Sequence, residues 1–440
     1  MSRFLSIECD PIDQPAAIDP VERRTWCALS IRVRGRTVTR IWDKALQDER
    51  SLIYLPAFLI AEWLVTNWWT LLNEPSPTAE LPKASAAHLP WIKRHCLRSA
   101  ESGLLLPALY LFNDGRGIRA EWQADERDAL PNMPGEFIDS GFDHIDNATT
   151  EDALAEFVSE ILRRVDGLSD ERVDALKENW RAIRGANAEE ANFCVAAGRM
   201  GVDPYDPSQM RDEVASFIET ALTDPDLPLA RDLTEAAEAD SVVEQWSWVQ
   251  KSTAAWKLGP IPMPPPIQAG NAGLSPSRHG YRLAAKARKA AGLDSSEPVT
   301  SVENLAKAVS GGPFHAHHQN HVPGKNVHAM VGWTGNNEIL LAGSRPTRTD
   351  SQRFLDARGL YHALFACDRS ERLVTRAFTW DQQASRAFAA ELLAPQAALI
   401  ARAPGNADRS KVEELARDFD ASTVLIEKQL ENAGVTLVDE

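Results

Sequence analysis

The sequence predicts a multidomain α+β protein, and three observations lead to that reading. Two stretches near the N-terminus alternate apolar and polar residues around turn signals, as antiparallel hairpins do. From Thr149 the apolar period becomes that of a helix. Between Leu258 and Gly280 the chain reads LGPIPMPPPIQAGNAGLSPSRHG, a density of proline and glycine that suits a semi-extended connector rather than a core element. The expected parts are an α+β domain over residues 1–148, an acidic helical domain with its proline-rich linker over 149–268, and a third domain over 269–440. With 440 residues, each part is large enough to bury a core.

In the first part, ALSIRVRGRTVTRIWD alternates Leu29, Ile31 and Val33 with polar neighbours, turns near Gly35 and resumes with Val38 and Ile41. PALYLFNDGRGIRAEW does the same around Asn113, Asp114 and Gly115. A third strand is expected in GEFIDSG, Gly135 to Gly141. Between them AFLIAEWLVTNWWTLLN, Ala57 to Asn73, is apolar enough to need a membrane test. It is short for a span and carries Glu62 and Asn67 at its middle, so a buried helix against a mixed antiparallel sheet is expected. Its tryptophans Trp63, Trp68 and Trp69 then fill the core, and each indole N–H requires an acceptor.

The helical middle opens with Leu154, Phe157, Val158, Ile161, Leu162 and Val165 at helix spacing, capped by Thr149 or Thr150. Further helices are expected over Asp170–Ile183, Ala188–Met200, Ser208–Leu222 and Ala230–Trp256. Charge follows the same division. Of the formal net charge of −16, the whole acidic excess lies before Asn271, and Glu151 to Asp240 alone holds 9 basic against 22 acidic residues. Such a surface repels nucleic acid and attracts basic partners, although a solvated acidic helical face is its default explanation. The five cysteines stand far apart without Cys-x-x-Cys spacing, and MSRFLSIECDPID has no basic segment followed by an apolar run. A reducing cytoplasm without a secretory signal is therefore the expected setting.

After the connector come YRLAAKARKAAGL and SVENLAKAVSGG as helices, VHAMVGW and NEILLAG as strands, and then the helix QRFLDARGLYHALFACD. DQQASRAFAAELLAPQAAL and VEELARDFDASTVLIEKQLENAG follow as helices. This order resembles the ImmA/IrrE family of bacterial metallopeptidase-like proteins over roughly Gly280 to Gly434. The most specific piece is ASRAFAAELLAP, Ala384 to Pro395, which is similar to that family's Ala-Asn-x-Phe-Ala-x-x-Leu-Leu-x-Pro signature and matches it from Phe388 onward. Ser385 and Arg386 stand where the family has Ala-Asn. The resemblance implies a zincin-like C-terminal domain.

Active members of the family carry His-Glu-x-x-His, in which two histidines one turn apart share a zinc ion and the glutamate takes a proton from its water. Here those positions read Arg358, Gly359, Leu360, Tyr361 and His362. The family's third, acidic ligand falls at Asp381 or at the position of Gln383. A guanidinium cannot ligate zinc and glycine offers no base, so peptide hydrolysis by that mechanism is expected to be absent. Two readings of the remnant stand: Arg358 and His362 pair with Asp381 or Glu391 where the metal would have been, or His362 packs in the buried helix face with one hydrogen bond.

FHAHHQNHVPGKNVH places His315, His317, His318, His321 and His328 within fourteen residues, and with His362 they account for six of the ten histidines. On a strand His315 and His317 share a face, which leaves a rearranged zinc site open as a second expectation beside that of no cofactor. The C-terminal LARDFDASTVLIEKQLENAG has helix-turn-helix spacing, yet Lys428 is the only base of its second helix, so direct nucleic-acid binding is not expected. Phosphate-binding loops, a nucleophile elbow and a dinucleotide fingerprint are absent from the sequence.

The leading expectation is a non-catalytic regulatory or sensor protein of bacterial stress or mobile-element and phage response. It would act through contact with a protein partner, a basic surface or a DNA-binding regulator, as the resemblance implies. The alternatives are a metallopeptidase with a rearranged histidine site, and an anti-phage or toxin–antitoxin component whose activity lies in the N-terminal domain.

Overall fold

The computed structural model describes residues 4–14, 17–127, 131–206, 208–221, 227–236, 241–256, 258–259, 275–294, 296–319, 321–334, 336–365 and 370–438. The chain is a mixed α+β protein with several mainly antiparallel sheets. It divides into two compact units, Met1–Pro225 and Asp226–Glu440. Among the described residues no helix is long and apolar enough to cross a membrane.

In the first unit, strand Trp26–Val33 takes antiparallel partners on both sides, Leu5–Pro11 along its length and the strands Arg36–Thr37 and Ile53–Pro56 at its two ends. The expected second hairpin forms between Ala108–Asn113 and Ile118–Gln123, and Gly141–Ile145 adds to its free side. GEFIDSG divides: Gly135–Phe137 pairs with Ile41–Asp43 in a third sheet, and the chain then turns into Gly141–Ile145. The strand Leu5–Pro11 has no counterpart in the sequence reading, because LSIECDP is too short to display its period against its polar residues.

The apolar stretch at residues 57–73 is buried as expected but breaks into two helices, Phe58–Thr66 and Trp68–Asn73. The break falls at Asn67, whose backbone leaves helical angles (φ −106°, ψ 14°) while its side-chain amide and its own N–H share the Trp63 carbonyl, at 2.8 and 3.1 Å. Trp63 donates its indole N–H to Lys93 O at 2.9 Å, and Trp68 meets Trp180 edge to face.

The helical middle does not stand alone. Helix Asn147–Arg164 is capped by Asp146, whose carboxylate accepts from Thr149 N at 2.8 Å, in place of Thr149 or Thr150. Its buried face of Leu154, Phe157, Val158 and Ile161 joins one apolar core with Leu5, Leu29, Ile60 and Leu109, as do Val173, Leu176 and Ile183 of helix Glu171–Gly185. An amphipathic helix needs an apolar surface to cover, and the adjoining sheets supply it, so these helices belong to the first unit. The expected Ala230–Trp256 helix is represented by Pro228–Thr234 and Val242–Trp256, both in the second unit. The boundary expected near residue 268 lies outside the described residues.

The second unit is built on one sheet. Strand Phe314–Gln319 runs parallel to Ile339–Ser344, which pairs antiparallel with Val327–Thr334, and that strand takes Arg372–Thr375 on its far side. Helix Thr349–Phe365 lies on this sheet and is buried without interruption from Leu355 to Phe365, as a helix through the centre of a core must be. Helix Trp380–Leu393 packs beside it, with Phe388 against Tyr361 and Phe365. Helix Pro276–Ala290 crosses Trp380–Leu393 at Gly280, where a Cβ would stand 2.4 Å from the Ala384 carbonyl oxygen. Only glycine allows that approach. The last helices, Arg409–Asp418 and Thr423–Asn432, form a small core of their own around Leu415, Phe419 and Ile426, with Ser422 capping as expected.

Candidate functional site

Arg358, Gly359 and His362 lie on the buried central helix, one turn of which presents Arg358 and His362 on the same face. The Arg358 guanidinium is buried and its acceptors are neutral. Nε donates to Ser385 Oγ at 3.2 Å, and Nη2 to the Thr375 carbonyl and to Gln382 Oε1, each at 2.8 Å. The expected pairing of Arg358 with Asp381 or Glu391 is therefore not made. Asp381 is taken by Arg372, whose Nη1 is 3.3 Å from Asp381 Oδ2. Glu391 lies near the other end of its helix, where it accepts from Gln429 Nε2 at 3.0 Å and from Gln396 N at 3.1 Å.

Burial, with the Arg386 charge nearby, holds the Arg358 guanidinium well below its ordinary range. Arg386 is lowered to about 10 by its own burial and then by Arg376. It wraps the same turn as Arg358, with bonds to the carbonyls of Thr375, Arg376 and Ala377. A buried and a half-buried guanidinium thus hold one loop by its backbone oxygens, and Ser385 and Gln382 complete the polar shell.

Gly359 stands against Leu341 of the underlying strand. A Cβ built on Gly359 would stand 2.1 Å from Leu341 Cδ1, so Leu341 fills the space a side chain at this position would need. His362 has no solvent exposure, and the Gln382 side chain is the polar group beside its ring. Burial, then Arg372 and Arg358, push it well below the usual imidazole range, so it is neutral. The packed reading of His362 holds, with Gln382 as its polar neighbour. Gln383 turns its amide to the Phe378 carbonyl at 2.5 Å and takes no part in the site.

The histidine-rich stretch is a strand over Phe314–Gln319, as its spacing allowed. Its alternation separates the histidines. His315 and His317 are exposed on one face, where His317 meets the Trp256 ring, and Ala316 and His318 turn toward the central helix. The rearranged site that joins His315 and His317 to His362 and Asp381 is not assembled, because the sheet lies between them. His321 is exposed in the following loop, and His328, on the strand Val327–Thr334, is lowered to about 4 by burial and then by Arg358, Arg386 and Arg376. Among the described residues, no group of three or more histidine, cysteine, aspartate or glutamate side chains is arranged to hold a metal ion.

Two groupings here were not legible in sequence. The first is a buried ion triad. Arg372 holds Asp232 in a fork, Nε to Oδ2 and Nη2 to Oδ1, both at 2.8 Å, while its third nitrogen reaches Asp381. Asp232 lies 140 residues upstream, and no spacing rule connects them. The second is His318 with Asp356: Nε2 is 3.2 Å from Oδ1, and Nδ1 faces the Ser344 carbonyl at 3.2 Å. Asp356, one turn before Gly359, is raised to about 7 by burial and then by Glu303.

That shift has a stability consequence whose sign is definite. A carboxyl whose folded value lies above its unfolded one contributes stability that is complete below about pH 4 and is lost as pH rises toward 7. Urea denaturation of Asp356→Asn beside the parent at pH 5 and pH 8 is expected to show the parent losing on the order of 3 kcal/mol more than the variant. Equal losses would show that Asp356 ionises in the folded chain as it does in water.

Comparison of the chain with models of protein families and with curated protein sequences gives no match.

Proposed function

We propose that the second unit is a pseudo-peptidase: a domain of metallopeptidase-like, zincin-type ancestry that works without catalysis, as a regulatory or sensor module that binds a protein partner in a bacterial cytoplasm. The observation that carries this reading is the packing of Leu341 into the space beside Gly359. The position where the resembled family keeps its general base is closed by a buried core side chain. Arg358 supports it, since its guanidinium occupies the first ligand position and is tied to three neutral acceptors. A cation so held cannot ligate zinc and cannot accept a proton. Of the positions matching His-Glu-x-x-His, His362 alone keeps its residue type. The acidic first unit, with its charge excess on solvent-facing helix surfaces, suits a basic protein partner in the stress or mobile-element setting that the resemblance implies.

Two measurements on the full chain test the reading. The protein, freed of metal by dialysis and titrated with zinc chloride alone in a calorimeter, is expected to bind no zinc through His362, so parent and His362→Ala give the same isotherm. One zinc per chain, lost in His362→Ala, would establish a rebuilt metal centre and end the pseudo-peptidase reading. Affinity purification from the native cell at low and high salt is expected to give a stoichiometric basic partner that high salt releases. Absence of a stoichiometric partner at low salt would remove the protein-contact part of the proposal.

A further inference from the structure

The first unit holds two cysteines on one face of neighbouring strands. The antiparallel register sets Cys9 opposite Leu29 and Pro11 opposite Cys27. Residues opposite each other, and residues two apart on one strand, share a face, so Cys9 and Cys27 are diagonal neighbours on the same side of the sheet. That side looks into the core: Cys27 and Leu29 are fully buried, and Cys9 is half-buried at the rim.

A cation is fixed against the outer of the two sulfurs. Arg164, the last residue of helix Asn147–Arg164, donates Nη1 to Cys9 Sγ at 3.4 Å and Nη2 to the Cys9 carbonyl oxygen. Its Nε donates to Glu160 Oε1 at 2.8 Å, so three acceptors hold the guanidinium in place.

We propose that Cys9 is a site of oxidation by hydroperoxides, with Cys27 as the thiol that resolves it. The Cys9 thiolate attacks the outer oxygen of the hydroperoxide, the O–O bond breaks, and the leaving oxygen takes a proton and departs as an alcohol or as water. Cys9 is then a sulfenic acid, oxidised by two electrons. The Cys27 sulfur attacks the Cys9 sulfur, the S–O bond breaks, and the hydroxyl leaves with the Cys27 proton as water. The balance is two thiols and one hydroperoxide giving one disulfide, one alcohol and one water.

The remaining described cysteines set the contrast. The neighbouring Cys27 thiol, and Arg164 with it, hold Cys9 below the ordinary thiol range against its own burial. Cys27 is pushed up by its neighbour and by burial, as the second proton of a close pair must be. Burial raises Cys96, and it raises Cys194 to about 11. One sulfur combines a fixed cation, a path to solvent and a second thiol beside it. This proposal is independent of the pseudo-peptidase reading, since it concerns the other unit and a different chemistry.

The test uses the full chain, treated with hydrogen peroxide near equimolar amounts, alkylated and mapped by peptide mass spectrometry. Expected is a Cys9–Cys27 linked peptide that has lost two hydrogens and is restored by dithiothreitol, formed before Cys96 or Cys194 react. In Cys27→Ser, dimedone is expected to trap the Cys9 sulfenic acid. Arg164→Gln is expected to slow Cys9 oxidation about tenfold at pH 7, because the cation fixed beside the sulfur no longer favours the thiolate. Oxidation of Cys96 or Cys194 as fast as Cys9, or an unchanged rate in Arg164→Gln, would overturn the proposal. A Cys9 adduct in the parent without a bond to Cys27 would overturn the resolving role. The parent measurement requires no substitution, so a misfolded variant leaves the central question readable.

Discussion

Replacing Arg372 with methionine is expected to destabilise the second unit by about 3–5 kcal/mol, among the largest effects any single substitution in this chain should have. The cost does not come from losing an attraction in water. It comes from leaving Asp232 buried at 1% exposure without its fork of two 2.8 Å bonds, and Asp381 without the third guanidinium nitrogen. Asp232 also accepts from Leu373 N at 2.9 Å, so the triad ties the helix Pro228–Thr234 to the strand Arg372–Thr375. Hydrogen exchange in urea, read on peptides from residues 228–234 and 372–375, should show both segments opening together at lower denaturant. Removing the partner charge as well, in Arg372→Met with Asp232→Leu, should recover about half of the loss, because the Asp232 charge is then gone while Asp381 still lacks the guanidinium. A loss below about 1 kcal/mol in the single variant would show that water reaches the carboxylates and that the triad is a surface pair in effect.

Gly359→Glu is expected to cost about 3–5 kcal/mol and to restore no peptidase activity. The first part of that cost is steric, since the new Cβ would stand 2.1 Å from Leu341 Cδ1, and that fully buried methyl must turn into a packed core to make room. The second part is a carboxylate placed in an apolar setting between helix and sheet. Gly359→Ala isolates the steric part and should cost about 1–3 kcal/mol. The pair Gly359→Ala with Leu341→Ala should cost less than the two single losses added, because each change makes room for the other. Strict additivity would show that Leu341 does not fill the space beside Gly359 and would remove the main support for the pseudo-peptidase reading.

Local features proved legible where local physics decides them. The hairpin at Asn113, Asp114 and Gly115, the buried tryptophan segment and the histidine-bearing strand all follow from period, turn residues and cost of burial. The sequence reading went astray where a residue had two partners to choose between. Asn67 was read within one helix, and its amide chose the backbone. Arg358 was expected to seek a carboxylate, yet the near one was already held by Arg372, and neutral oxygens of Thr375, Gln382 and Ser385 lay closer. The change of apolar period at Thr149 marks a change of element type, which reads in sequence as the start of a helical domain over 149–268. Period describes the element, whereas domain membership is decided by what its apolar face meets, and Leu154, Phe157 and Ile161 face the same core as Leu5 and Leu29.

By itself the sequence determined most of the helices and strands, the presence of Arg358 and Gly359 where the resembled motif has a ligand and a base, and the position of the acidic charge, because each of these depends on residues within a few places of one another. Only the tertiary structure decided what surrounds these positions. Leu341 closes the space beside Gly359, Asp232 reaches Arg372 from 140 residues away, and Arg164 meets Cys9 across 155. Contacts of that range are selected by the shape and packing of the folded core, and no local period in the chain encodes them.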